Sequence, residues 1–340
     1  MKKMITTALF LGLSLNAAYA AESKVMLCIF DPTGQNGYAY GYAKDYVLQA
    51  PRFGLNNPID IKIYTSEALL VKDFEAARCD AAIMSNLRAR QFNSFTGSLD
   101  AIGGLVTNKD LSLALQVLSS TTLAPKMSQG GYEVLGLIPL GAAYMMVDDR
   151  QINTISKAKG SKVAVLNLEQ SINKLALKVG AQTVPVTLAT ISNAFNTHKV
   201  NVLSMPAVVF KPFELATGMA AADGSVKGGV IRFRMAQITA AFVVHKNKLP
   251  NPEVGQKIRE YVYSQIGTAY RFIDNSEKLI DDKYWVNLSP VDQQSNLALM
   301  RSTRIEMTKE GIYDKEMMHL LKNVRCKTTP KNAECALSDE

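Results

Sequence analysis

Short apolar runs alternate with amphipathic stretches along most of this chain. Val25–Phe30, Ile59–Tyr64 and residues 80–84 form a first set, and Lys162–Leu166 with residues 183–186 and 200–204 a second. Each run has the length and apolar content of a buried strand. Between them, residues 66–78 carry Ala68, Leu69, Val71, Phe74 and Ala77 at helical spacing behind Ser66, a good N-cap, so the stretch predicts a helix. Residues 168–179 and 190–198 have the same character. Alternating strands and helices predict an α/β fold, a mostly parallel sheet covered by helices on both faces.

The pattern occurs twice, over 25 to about 120 and about 160 to 220, and roughly 320 residues exceed what one core organises. Two lobes are therefore expected. The apolar stretch 134–147 is interrupted by Pro139 and too short for a bilayer, so it predicts one or two buried strands, with 142–147 the clearest part. Residues 228–245 again alternate as extended chain. These two stretches would be crossings between lobes. The division this implies is 21–142 plus 238–282 for lobe 1, and 143–237 plus 283–340 for lobe 2. Beyond 252 the chain turns helical, in "PEVGQKIREYVYSQIGTAYRFI" and "SPVDQQSNLALMRSTRIEMTKE".

The first twenty residues belong to no fold. Lys2 and Lys3 precede an apolar run that ends in Ala18-Tyr19-Ala20, the pattern of a signal peptide cleaved after Ala20. Export to the periplasm is expected. It also changes the meaning of the four cysteines, which in an oxidising compartment read as disulfides. Cys326 and Cys335 would close a short C-terminal loop, leaving Cys28 to pair with Cys79. No Cys spacing is C-x₂-C and His198, His245 and His319 lie singly, so no metal site is assigned. The formal charge is +8 over 340 residues. The positive residues are scattered rather than clustered, which argues against nucleic acid.

Chemistry-bearing motifs are few. In "CIFDPTGQNGYAYGYAKDY" (28–46) the glycines are Gly34, Gly37 and Gly41, a spacing that fails the dinucleotide fingerprint G-x-G-x-x-G. What remains is a turn after a strand, leading into a helix near Gly37 whose free N–H groups could face a ligand crevice. Ser171-x-x-Lys174 lacks the companion boxes of a serine acylase, and neither G-x-S-x-G nor H-E-x-x-H occurs. No catalytic residue and no cofactor is assigned. After the strand ending near Met84, however, Ser85, Asn86, Arg88 and Arg90 arrive within six residues. Arginine suits bidentate capture of a carboxylate or phosphate.

"AKGSKVAVLNLEQ" (158–170) and "GAQTVPVTLATISNAFNTHKVNVLSMP" (180–206) resemble the second lobe of TRAP-transporter periplasmic solute-binding proteins. "CIFDPTGQNG" with "LRARQFNSFTGSLDAIGGL" is similar to the AdeT-type putative solute-binding family, and the resemblance runs over nearly the whole mature chain. It implies a two-lobe periplasmic-binding-protein-like fold with a hinge and an interlobe cleft. It also implies capture of a small molecule for delivery to integral membrane transporter subunits, by a monomeric non-enzyme. An accessory role in an envelope efflux system, or an orphan ligand sensor, is the alternative. Two arginines that the family uses on carboxylates fall at Ala164 and near Ala143, and its Asn-Pro asparagine falls on Met205. Arg88 and Arg90 are the candidate replacements. Ligand-binding residues expected from the first lobe are Asp31, Gln35, Asn36 and Tyr38 with Ser85, Asn86, Arg88 and Arg90. From the second lobe they are Tyr144, Asn167, Met205 and Phe210.

Overall fold

A computed structural model describes residues 24–339, so the signal sequence lies outside the described residues. In chain order the first third holds β1 (Val25–Phe30), α1 (Tyr38–Gln49), β2 (Ile59–Tyr64), α2 (Glu67–Glu75), β3 (Ala81–Ser85), α3 (Asn86–Ala89) and α4 (Asn108–Leu118). The middle holds β4 (Ser128–Gln129), β5 (Tyr132–Val147), β6 (Lys162–Leu166), α5 (Gln170–Lys178), β7 (Gln182–Val186), α6 (Ile191–Asn196) and β8 (Val202–Pro206). The rest is β9 (Gly229–His245), α7 (Pro252–Ser264), α8 (Ile266–Lys278), β10 (Trp285–Val286), α9 (Pro290–Lys309) and α10 (Lys315–Thr328).

All six predicted strands are present, and three keep their predicted ends. The helix expected over 66–78 stops at Glu75, because Ala77 turns to φ +54° and ends the ladder. The strand expected at 200–204 begins at Val202, since the Val200 N–H closes the turn after α6 onto Ala194. The long helical stretch from Pro252 breaks at Gln265 into α7 and α8.

The strands run in the order β2-β1-β3-β9-β5-β8-β6-β7. β1, β2 and β3 are mutually parallel, as are β6, β7 and β8. β5 and β9 join the two groups as an antiparallel pair spanning 16 and 17 residues. These are the two crossings expected from sequence. Register fixes what faces what: Ser85, the end of β3, lies opposite Ala240, and Pro206, the end of β8, lies opposite Ala143. Residues 139–143 of β5 pair with 236–239 of β9. Both parallel groups therefore point their carboxyl ends at the middle of the same crossing pair.

That middle is bent. The β5–β9 register slips between Pro139 and Gly141 and again around Tyr144. Pro139 has no N–H for the ladder, and Gly141 at φ +100° holds a conformation that a side chain would strain. Ile273 of α8 packs over Gly141, where a Cβ would come within 3.1 Å. On its other edge β9 has no strand between its pairing with β10 and with β3, and a loop fills the gap. Gly103 N–H donates to Met235 O at 2.7 Å, and Gln237 N–H donates to Leu105 O at 3.1 Å.

Each lobe is a sheet with helices on both faces. Leu27, Ile29, Ile83 and Phe242 pack under α1 and α7, and the opposite face packs Met84, Val134 and Val243 under α2, α4 and α10. In the second lobe α6 covers Tyr144, Ala164 and Met205, while α5 and α9 cover Val163, Val165 and Ile231. The C-terminal helices thus divide, with α9 on the second lobe and α10 on α4 of the first. Arg304 of α9 and Arg325 of α10 are buried, donate to the Ile102 and Gly104 carbonyls, and share Glu334. The Cys326–Cys335 disulfide holds the turn carrying Glu334 to α10.

Cys28 and Cys79 form a second disulfide, fully buried in the first-lobe core, with a Cα separation of 5.7 Å. It closes a loop of 51 residues between β1 and the start of β3. Replacing both cysteines by alanine should lower unfolding free energy by about 2–4 kcal/mol. Urea titration in the absence of reductant checks this, and an unchanged midpoint would show that the bridge contributes nothing.

Candidate functional site

The converging strand ends make the interlobe face the candidate site, since open α/β sheets bind ligands beyond the carboxyl ends of their strands. From β1 the chain enters the turn that carries Asp31, Gln35, Asn36 and Tyr38. The Asp31 carboxylate is buried and fully engaged. It accepts from Thr33 N and Oγ1 at 3.0 and 2.7 Å, and from Ala39 N and Tyr40 N at 3.0 and 3.3 Å. The first N–H groups of α1 are thereby capped from within the turn, and a Cβ at Gly37 would strike this carboxylate. Gln35 and Asn36 stay exposed. Tyr38 stacks on Phe272 of α8 with ring centroids 4.2 Å apart, and burial pushes its phenol up to about 12.

The loop after β3 is equally tied down. Glu67, at the start of α2, accepts from Ser85 N at 2.6 Å and pairs with Arg88 at 3.5 Å. Burial raises its carboxyl despite those partners. Arg90 donates to Gly97 O at 2.9 Å and lies over the Tyr313 ring at 5.2 Å. The Tyr313 hydroxyl accepts from Ile102 N at 3.3 Å, and burial pushes its phenol up to about 12. Asn86 is buried, and its amide N–H donates to Thr96 O and to Asp100 Oδ1 at 2.9 and 3.2 Å.

Asp100 fastens that loop to the crossing. Its carboxylate accepts from Thr239 N at 2.9 Å and Thr239 Oγ1 at 2.7 Å. Burial raises it to about 6 against these hydrogen bonds and the nearby Arg90 charge.

In the second lobe, Tyr144, Met205 and Phe210 are buried in one core with Ala164, and only Asn167 is exposed. Tyr144 Oη donates to Glu277 at 2.7 Å and accepts from Arg234 Nε at 3.1 Å, with Trp285 edge-on at 5.2 Å. Burial pushes this phenol to about 12. Arg234 and Glu277 were not foreseen. They sit on β9 and α8, far from any strand-end motif, and no local signal pointed to them. Glu67 and Asp100 were missed as well, although both stand in helix-start or loop positions next to strand ends. Away from these ends, α4 and α10 enclose a groove of about 570 Å³ lined by Leu113, Val117, Leu123, Leu320 and Lys327.

Comparison with known proteins agrees with this arrangement. The family model described as "Solute-binding protein AdeT 1/2" matches residues 13–57 and 54–340. The probable solute-binding protein AdeT1 of Acinetobacter baumannii is 42% identical over 92% of this chain and all of its own length. The chain belongs to the AdeT1/2 solute-binding protein family. Solved structures with the same fold include a TRAP periplasmic solute-binding protein from Desulfovibrio salexigens with bound orotic acid. Its TM-score is 0.72 at 12% identity, covering 89% of this chain and 99% of that one. Another is from Shewanella oneidensis with bound succinate, with a TM-score of 0.71 at 13% identity, covering 89% and 99%. The two-lobe fold expected from sequence is therefore that of the TRAP solute-binding proteins.

In this AdeT1/2 family member, Ala164 and Ala143 are small residues 4% and 6% exposed within the sheet. Of the charged groups around the strand ends, Arg88 pairs with Glu67 and Arg234 with Glu277. The Asp100 contacts set a pH dependence with a definite sign. Its folded carboxyl, at about 6, lies above the ordinary value of 3.8, so the native state holds this proton more tightly than the unfolded chain. Asp100 then favours folding most below that ordinary value, and the benefit is lost as pH rises through the folded one. The stability of wild type relative to Asp100→Asn should fall between about pH 4 and 6 and be flat above. Urea melts across that range check it. A difference independent of pH would mean that Asp100 titrates normally.

Proposed function

We propose that this protein is a periplasmic solute-binding protein that captures a small molecule between its lobes and passes it to integral membrane transporter subunits of the TRAP kind. The observation that carries the reading is the convergence of both lobes' strand ends on one bent crossing, in a member of a solute-binding family. Closure would turn on the bends at Pro139–Gly141 and Tyr144, driven by contacts the solute makes only in the closed form. The first twenty residues direct export and are removed after Ala20. Among the described residues no helix is long and apolar enough to cross a membrane.

Lobe 1 comprises 21–142 and 238–282, and lobe 2 comprises 143–237 and 283–340 with α10 packed back on lobe 1. Within the expected ligand-binding set, the exposed polar side chains Gln35, Asn36 and Asn167 offer hydrogen bonds directly. Ser85, Asn86, Arg88 and Arg90 frame one side, with Asp31 and Tyr38 shaping the adjoining turn. Tyr144, Met205 and Phe210 support the other side from beneath. The protein acts as a monomer, without catalysis.

Native mass spectrometry of protein purified without denaturation should show a small molecule carried over from the cell. Small-angle scattering should then show a smaller radius of gyration for loaded than for stripped protein. Preparations that carry nothing, together with recovery of the protein in complex with an efflux pump, would replace this reading with an accessory role.

A further inference from the structure

We propose that the interlobe site takes an uncharged solute through an apolar face, and that Leu168 is the side chain that meets it. This rests on the solute-binding reading and narrows its ligand class. Leu168 stands two residues beyond the end of β6, at φ +78° with half of its surface exposed. The left-handed region is sterically costly for leucine, and an exposed leucine gains little from burial in return. Among the described non-glycine residues with positive φ, the others are Ala77, His198 and Glu214, so Leu168 is the one large apolar case. The fold gets nothing from this side chain that asparagine or glycine would not supply at lower strain. Strain of this kind points to use by a ligand.

The turn is held in place. Asn167 N–H donates to Val186 O, and Glu169 N–H donates to Leu166 O at 2.9 Å, while the Glu169 carboxylate accepts from Ser171 N at 3.0 Å. The helix that follows the turn, α5, pairs Lys174 with Glu310, and three residues beyond Glu310 the Tyr313 ring carries Arg90 of the first lobe. Around it the second-lobe strand ends are aliphatic: Leu166, Leu188 and Val209 are each half-buried. Leu140 and Ile238 are half-buried on the crossing itself.

Charge points the same way. Arg88 is matched by Glu67, Arg234 by Glu277 at 3.8 Å, and Arg90 is committed to Gly97 O and the Tyr313 ring. A carboxylate that took Arg88 or Arg234 would strand the Glu67 or Glu277 carboxylate already in place. Orotic acid and succinate, held by the two structural neighbours, need a countercharge that Arg88 and Arg234 already give to Glu67 and Glu277.

The uncharged apolar fluorophore N-phenylnaphthylamine tests this by titration into wild type, Leu168→Asn and Val117→Asp, the last altering the separate groove between α4 and α10. Wild type should bind saturably, and millimolar succinate or orotate should leave the signal unchanged. Leu168→Asn should bind about fivefold to tenfold more weakly. Its thermal midpoint should equal or exceed that of wild type, since asparagine tolerates the left-handed region. Unchanged affinity in Leu168→Asn, loss only in Val117→Asp, or displacement by either acid overturns the proposal. A lowered midpoint with intact affinity assigns Leu168 to the fold and does the same. If an acid raises the midpoint while the fluorophore fails to bind, the solute-binding reading stands and only the apolar one falls. Failure of fluorophore and acids alike, with no carried-over molecule, removes both.

Discussion

The pairing of β5 with β9 is the constraint on which the rest of the molecule depends. Two strands of 16 and 17 residues run through both lobes, and each half of the pair seeds a different parallel group. Because each parallel group joins the pair antiparallel and from opposite ends, both turn their carboxyl ends to its centre. The candidate site between the lobes rests on this register. The centre is also the place where the ladder is weakest, with a missing N–H at Pro139 and a left-handed glycine two residues on. One short segment thus unites the two lobes.

Strength lost in the bent ladder is restored from the side. The 100–105 loop bonds to the open edge of β9, and Arg304 and Arg325 hold that loop by two carbonyls while sharing Glu334. Two guanidinium groups buried this deeply require partners, because an uncompensated buried charge is strongly destabilising. The C-terminal disulfide keeps Glu334 within their reach. α9 and α10, which pack on different lobes, are thereby tied to one loop at the crossing.

The same economy governs the charges near the site. Asp31 is consumed in capping α1, Glu67 in holding Ser85 and Arg88, and Asp100 in joining Asn86 to Thr239. The charged side chains at the strand ends work mainly on the scaffold, which leaves hydroxyl, amide and aliphatic groups to meet a solute.

Strand and helix periodicity determined the α/β class, the six strands of the two parallel groups and the duplication into lobes, because those properties are written in neighbouring residues. In a chain expected to be exported, the short spacing of Cys326 and Cys335 and the strand positions of Cys28 and Cys79 were enough to choose the two pairs that form. Motif reading reached the loops after β1 and β3, since a strand end followed by turn and polar residues is a local signal. It could not tell a free side chain from an engaged one. Arg88 and Arg90 look like ligand groups in sequence, and only folding brings Glu67 and Tyr313 to them. Glu277 beside Tyr144, Thr239 beside Asp100, and the conformation of Leu168 lie wholly in the tertiary structure. Contacts between residues more than a hundred positions apart, and the sign of one backbone angle, are set by packing rather than by any local pattern.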